Sequence, residues 1–230
     1  MYKKITHNIV EEHFDHPIAS QIKKSMSRSK ITNNEVFLES KFRSDMNSYF
    51  ENYRARLNSM INGATGTEED LIKPFEEIYN NSWVDGLGNM TKPIYVSEFG
   101  ERINSAFRSI PVTLLIVIQL LKTGRDITSI SRRFAGARDD LSIALTTFNP
   151  AWAGPTISSL FTTITTEMIN QVKARLKKDA NAELQSSQKI AQAFSTFENE
   201  FVNGIISQHP ERFARQTPVT TPTSYNRDIM

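Results

Sequence analysis

The chain contains no cysteine. Thiol nucleophiles, thiolate metal sites and disulfides are therefore excluded, and cysteine usage says nothing about redox compartment. Histidine occurs four times and glycine nine times in 230 residues. So few glycines leave little material for loops that cradle phosphates with backbone N–H groups. A strong charge excess is missing too. Twenty-seven Lys and Arg stand against 25 Asp and Glu, for a net charge of +2, whereas a dedicated nucleic-acid binder usually shows a clear basic surplus.

Long apolar runs are also scarce. The longest, Ile110–Leu121 (IPVTLLIVIQLL), contains Gln119. It falls well short of the roughly 20 residues a membrane span requires, so it reads as a buried core helix and no membrane partner is expected. Its Val, Ile and Thr content makes a buried strand the rival. Pro111 suits a first helical turn and favours the helix. Near the N-terminus, Glu11, Glu12 and Asp15 stand where a signal peptide would carry its apolar core. The expected location is the cytoplasm or the inside of a virus particle.

What is present is helix periodicity. Phe42, Met46, Tyr49, Phe50, Tyr53, Leu57 and Met60 recur at spacings that place them on one stripe. That helix is expected to begin at Asn33 or Asn34 and to end at Gly63. Thr67 with Asp70 resembles a capping box and opens a second helix through Tyr79. Asn80–Val96 shows turn residues and no helical period, with a short extended segment expected at Ile94–Val96. A helix from Ser97 to Ser109 is expected to precede the apolar one, which Gly124 closes. Asp126 starts another, through Arg133; Ala135-Gly136-Ala137 is a break or a tolerated weak spot, and the helix resumes from Arg138 to Phe148. Asn149–Pro155 is a loop around Trp152.

Two long helices follow, separated at Asp179. One carries Ile157, Leu160, Phe161, Ile164, Met168, Val172 and Leu176, the other Ile190, Phe194, Phe197, Phe201 and Ile205. Gln216–Met230 is rich in Thr and Pro and poor in apolar residues, so it should not fold alone. The expectation is an all-α, single-domain multi-helix bundle over residues 33–215. An N-terminal arm (1–32) and an extended C-terminal tail (216–230) flank it.

Motifs that could carry chemistry are weak. His13 and His16 lie close together in EHFDH, but Pro17 disfavours the helical geometry a shared metal would need. Asp85–Lys92 (DGLGNMTK) has two Gly and a Lys without the strand-loop-helix setting of a phosphate loop. Ser20 with Lys23, and Ser27 with Lys30, match a spacing found in acyl-enzymes, in a Ser-rich basic stretch that produces it by chance. No catalytic residue, cofactor or metal site is assigned.

The Thr123–Phe148 stretch has the outline of a helix-turn-helix in which Arg132, Arg133 and Arg138 would reach phosphates. Asp139 and Asp140 stand where a recognition helix would read bases, so an internal Arg/Asp network is the competing reading. Lys173, Arg175, Lys177 and Lys178 form a second basic group that also suits a helix C-terminus. Trp83 and Trp152 are candidate partner anchors or packing plugs. The function expected is that of a non-enzymatic structural subunit of a larger assembly. A coat- or connector-type protein of a viral or phage particle fits, with partners that are copies of itself or other subunits. The alternative is a nucleocapsid-like protein binding RNA or DNA through phosphates.

Overall fold

Sequence periodicity and buried surface agree over most of the chain. A computed structural model describes residues 36–80, 83–152 and 155–215. Seven α-helices are present among them: α1 (Glu39–Asn62), α2 (Glu68–Asn80), α3 (Trp83–Thr91), α4 (Ser97–Lys122), α5 (Thr128–Phe148), α6 (Pro155–Lys177) and α7 (Ala180–Gln208). Two short strands, β1 (Phe37–Leu38) and β2 (Phe213–Ala214), pair in parallel at the two ends of the described chain. The fold is all-α.

Helix α4 is the hub. It packs against α1, α2, α3, α5 and α6, and its Phe99, Ile103, Phe107, Leu114, Val117 and Ile118 have no exposed surface. Length and composition alone would let α4 cross a membrane, as they would the core helix of many bundles. The α6–α7 hairpin makes the most extensive helix pair. Most residues of the expected stripes are in the core, with Leu160 and Leu176 only partly buried against it; Phe194, Phe197 and Phe201 are buried, and Phe197 meets Phe161 of α6 edge-on.

Several boundaries differ from expectation, each for a physical reason. Helix α1 begins at Glu39, because Phe37 and Leu38 pair with Phe213 and Ala214. Asn33 and Asn34 lie outside the described residues. The apolar helix and the one before it are a single 26-residue helix, with Pro111 in its interior. Proline has no N–H, so the Phe107 carbonyl loses its helical donor. The buried Tyr53 hydroxyl of α1 donates to that carbonyl at 2.7 Å and replaces the lost bond. Burial drives the Tyr53 pKa far above the ordinary tyrosine value, which keeps the donor proton in place. Pro74 sits inside α2 in the same way, and the freed Asp70 carbonyl lies against Gly63, where any Cβ would collide with it.

Helix α5 is continuous through Ala135-Gly136-Ala137. Ile130, Phe134, Leu141 and Leu145 are buried on both sides of that stretch, so the helix is held across it. Gly136 costs about 1 kcal/mol of helix propensity, which such packing overrides. No helix-turn-helix exists here. The turn-rich Asn80–Val96 stretch contains helix α3, and Ile94 lies in a turn, not a strand. Capping follows the sequence elsewhere. Asp70 accepts from the Thr67 N–H at 2.7 Å, Asp126 from the Thr128 N–H at 3.1 Å, and Asp179 from the Ala182 N–H at 3.0 Å. Gly124 takes a positive φ of 66° just after α4.

Candidate functional site

The two ends of the described chain meet at one corner. Strand alternation turns Phe37 and Phe213 inward, where they pack with Phe42 at ring separations of 5.0–6.4 Å. The same alternation turns Val36, Leu38 and Ala214 outward. Val36 is 59% exposed and Leu38 36% exposed, two of four exposed large apolar side chains among the described residues. Glu39 ties the corner together. Its carboxylate accepts from Arg43 Nε at 2.9 Å and lies 3.8 Å from Arg215 Nε just beyond β2. Residues 1–35 and 216–230 therefore attach to the fold at neighbouring points.

The corner is fastened from behind. Arg212 is buried and donates to the Pro93 carbonyl at 2.7 Å. Tyr95 donates to Gln208 Oε1 at 2.5 Å, and Gln208 donates to the Phe148 carbonyl at 2.8 Å. His209 stands edge-on to Tyr95 with ring centroids 5.0 Å apart. Burial pushes the His209 pKa below its ordinary value; nearby Arg212 acts in the same direction and Glu211 opposes it.

The basic candidates are spread over two helices and matched by acids. Arg138 pairs with Asp139 at 2.7 Å and donates to Thr162 of α6 at 3.1 Å. Arg132 lies within electrostatic reach of Asp126, helping to hold that carboxylate below the usual range after its hydrogen bonds to Thr128. Burial raises the Asp140 pKa, Asp139 adds to the rise, and Arg102 opposes it. Arg132 and Arg133 are exposed. Arg175 is not free: it pairs with Glu183 at 2.9 Å and donates to Asn62 Oδ1 at 2.5 Å, locking α6 to α7 and α1. Lys173, Lys177 and Lys178 are exposed at the C-terminal end of α6, where cations offset the helix dipole. Lys122 donates to the Gly66 carbonyl at 3.1 Å, which puts the C-terminal end of α4 beside the loop that follows α1.

Trp152 is a packing plug and has no face to offer a partner. It is 2% exposed, stacked between Phe99 and Phe201, and donates through Nε1 to the Glu200 carbonyl at 3.1 Å. The indole presses on α7 at Gly204, where a Cβ would overlap the ring. The side chain of Trp83 lies outside the described residues, as do His13, His16, Ser20, Lys23, Ser27 and Lys30.

Solvent-open clefts among the described residues include two of several hundred Å³. One, of about 380 Å³, is lined by Asp85, Glu101, Asn104, Ser105 and Arg108. Arg108 pairs with Asp85 there, and Asn104 Oδ1 accepts from the Gly88 N–H at 2.8 Å. The other, of about 340 Å³, runs between α1, α6 and α7 over Leu57, Ile61, Met168, Ile190 and Phe194, with Glu51 and Arg54 at its rim. His209 is the one histidine among the described residues, and it lies in neither cleft. Among the described residues no group of three or more His, Asp or Glu is arranged to hold a metal ion. Asp85–Thr91 is helical and Lys92 lies in the turn that follows, so Gly86 and Gly88 face helix packing and make no phosphate loop.

Sequence reasoning missed the strand corner entirely. Its signal was faint: two apolar dipeptides, Phe37-Leu38 and Phe213-Ala214, separated by the whole helical domain. Compared with known proteins, the chain matches no family model, no curated protein and no solved structure.

Proposed function

We propose that the chain is a non-enzymatic structural subunit of a larger assembly, a coat- or connector-type component of a viral or phage particle. The observation that carries this reading is the strand corner. Both terminal segments leave the helical domain from one place, beside exposed Val36 and Leu38. Two polar segments rooted at one point form a natural grip on a neighbouring subunit. The interior supports the same reading, because the core is filled by interlocking aromatic rings around Phe107, Phe197 and Phe201.

The alternative, phosphate binding through Arg132, Arg133, Arg138 and the Lys173–Lys178 group, draws less support. Arg138 and Arg175 are engaged in ion pairs, and Asp126, Asp139 and Asp140 share the surface with the remaining arginines. Carboxylates among phosphate contacts are costly. The test is removal of 216–230. Assembly weakens while the helical circular dichroism signal stays intact. A truncated chain that assembles as well as the full one removes the corner from the argument.

A further inference from the structure

The outward face of helix α5 is ordered by charge. Ser129, Arg132, Arg133, Gly136, Asp139, Asp140 and Ile143 are all exposed. At about 100° per residue, they all fall within roughly 60° of Gly136. Both arginines stand on the N-terminal side of Gly136 and both carboxylates on the C-terminal side. The helix cannot join the two groups itself. Contacts along a helix link residues three or four apart, whereas Arg132 stands seven residues from Asp139 and Arg133 seven from Asp140.

Gly136 is the odd glycine. Every other described glycine either takes a positive φ or has a neighbour that an added Cβ would touch, while at Gly136 a Cβ would meet nothing within 4 Å. Its missing side chain therefore serves no packing within the chain, although glycine weakens a helix interior. The carboxylates beside it have room for further cations. Both contacts from Arg138 to Asp139 fall on Oδ1, at 2.8 and 2.7 Å, which leaves Oδ2 available. Burial and Asp139 raise the Asp140 pKa against the pull of Arg102, so an added cation there would be favourable.

We infer that this face of α5 packs against the same face of a second copy, antiparallel, about a two-fold axis at Gly136. In such a pair, a residue before Gly136 lies level with the residue equally far after it in the other copy. Arg132 then meets Asp139 of the second copy along one flank, and Arg133 meets Asp140 along the other, each within about one residue's rise. The axis repeats both pairs, so four ion pairs flank the seam. Gly136 faces itself and lets the backbones approach, and Ile143 lies over Ser129. A parallel pair would set each arginine beside its own copy and each aspartate likewise, which repels. One helix pair covers less than the roughly 800 Å² per partner of a stand-alone complex, so this contact acts alongside others. The inference rests on the assembly reading and names one of the surfaces that meet.

The absence of cysteine makes the test clean. Gly136→Cys should give a disulfide-linked dimer on oxidation, because the position faces itself across the axis. Ser129→Cys should not link to itself, since the two copies of that position stand about 21 Å apart along the seam. Equal linking of the two variants would mean parallel pairing or random collision and overturn the inference. Charge reversal is the second arm. Arg132→Glu should weaken self-association on the order of tenfold, and adding Asp139→Arg to the same chain should restore it to within about twofold. Lys173→Glu, the same charge change on α6, should leave it within about twofold. Loss without rescue, in chains with unchanged circular dichroism, overturns the inference while the assembly reading stands. Arg132→Glu that abolishes single-stranded RNA binding and spares self-association also overturns it, and gives the face to phosphates. A full-length chain that stays monomeric at every concentration defeats the assembly reading itself.

Discussion

The α6–α7 hairpin and the α3–α4 pair are both close helix contacts, yet they are built from opposite materials. In α6–α7, large side chains interlock: Phe161 meets Phe197 edge-on at 4.9 Å, and Ile164, Met168 and Val172 are fully or almost fully buried. In α3–α4, backbones touch. Gly100 of α4 lies so close to Gly88 of α3 that an added Cβ would stand 3.1 Å from the Gly88 carbonyl oxygen. Gly86 packs under the Tyr49 ring, and Asn104 reaches across to the Gly88 N–H. One interface announces itself as a stripe of apolar residues. The other is made by the absence of side chains, and a glycine in sequence reads as a turn.

The comparison can be broken at either interface. The largest effect is expected for Phe197→Ala, which leaves a cavity where four rings converge and should cost about 3–5 kcal/mol in denaturant unfolding. A loss under about 1 kcal/mol would mean that the hairpin is not held by its large side chains. Gly100→Leu is the reverse experiment. It adds volume where none is free and should cost roughly 1–3 kcal/mol through overpacking. A neutral or stabilising result would show that α3 does not approach α4 so closely.

Tyr53→Phe comes next. It removes the donor to the Phe107 carbonyl that Pro111 has orphaned, and leaving a buried acceptor unpaired should cost about 1–3 kcal/mol. Combining it with Pro111→Ala should recover much of that loss, because the alanine N–H restores the helical bond. A double variant no more stable than Tyr53→Phe would break the account of the proline. The smallest effect is expected for Arg138→Ala. Its partly exposed pair with Asp139 contributes about 0–1 kcal/mol, and binding to single-stranded RNA should be unchanged. A steep salt-dependent affinity that disappears in this variant, at unchanged melting temperature, would favour the phosphate-binding alternative.

The same contrast explains what the sequence made legible. Stripes such as Phe42–Met60 and Ile190–Ile205, the Thr67/Asp70 and Asp179 caps, and the stop at Gly124 are local signals, and the fold follows them. The misreadings occur where a distant group compensates for a local fault. Pro111 reads as a helix start until Tyr53, on another helix, supplies its missing hydrogen bond. Ala135-Gly136-Ala137 reads equally as a break or a tolerated weak spot until Phe134 and Leu141, buried on both sides, decide for the continuous helix. Gly86 and Gly88 read as a loop until α1 and α4 occupy the space their missing side chains leave. The candidate site was the least legible part. The strand corner joins residues 37–38 to 213–214, and no window of sequence contains both.

The central claim is that this corner serves assembly, and the native mass of the full-length chain tests it most directly. Native mass spectrometry across a concentration series should show discrete species at multiples of the 26.2 kDa chain mass, growing with concentration. A single 26.2 kDa species at the highest concentration reached, with no partner retained from its natural source, would contradict the account.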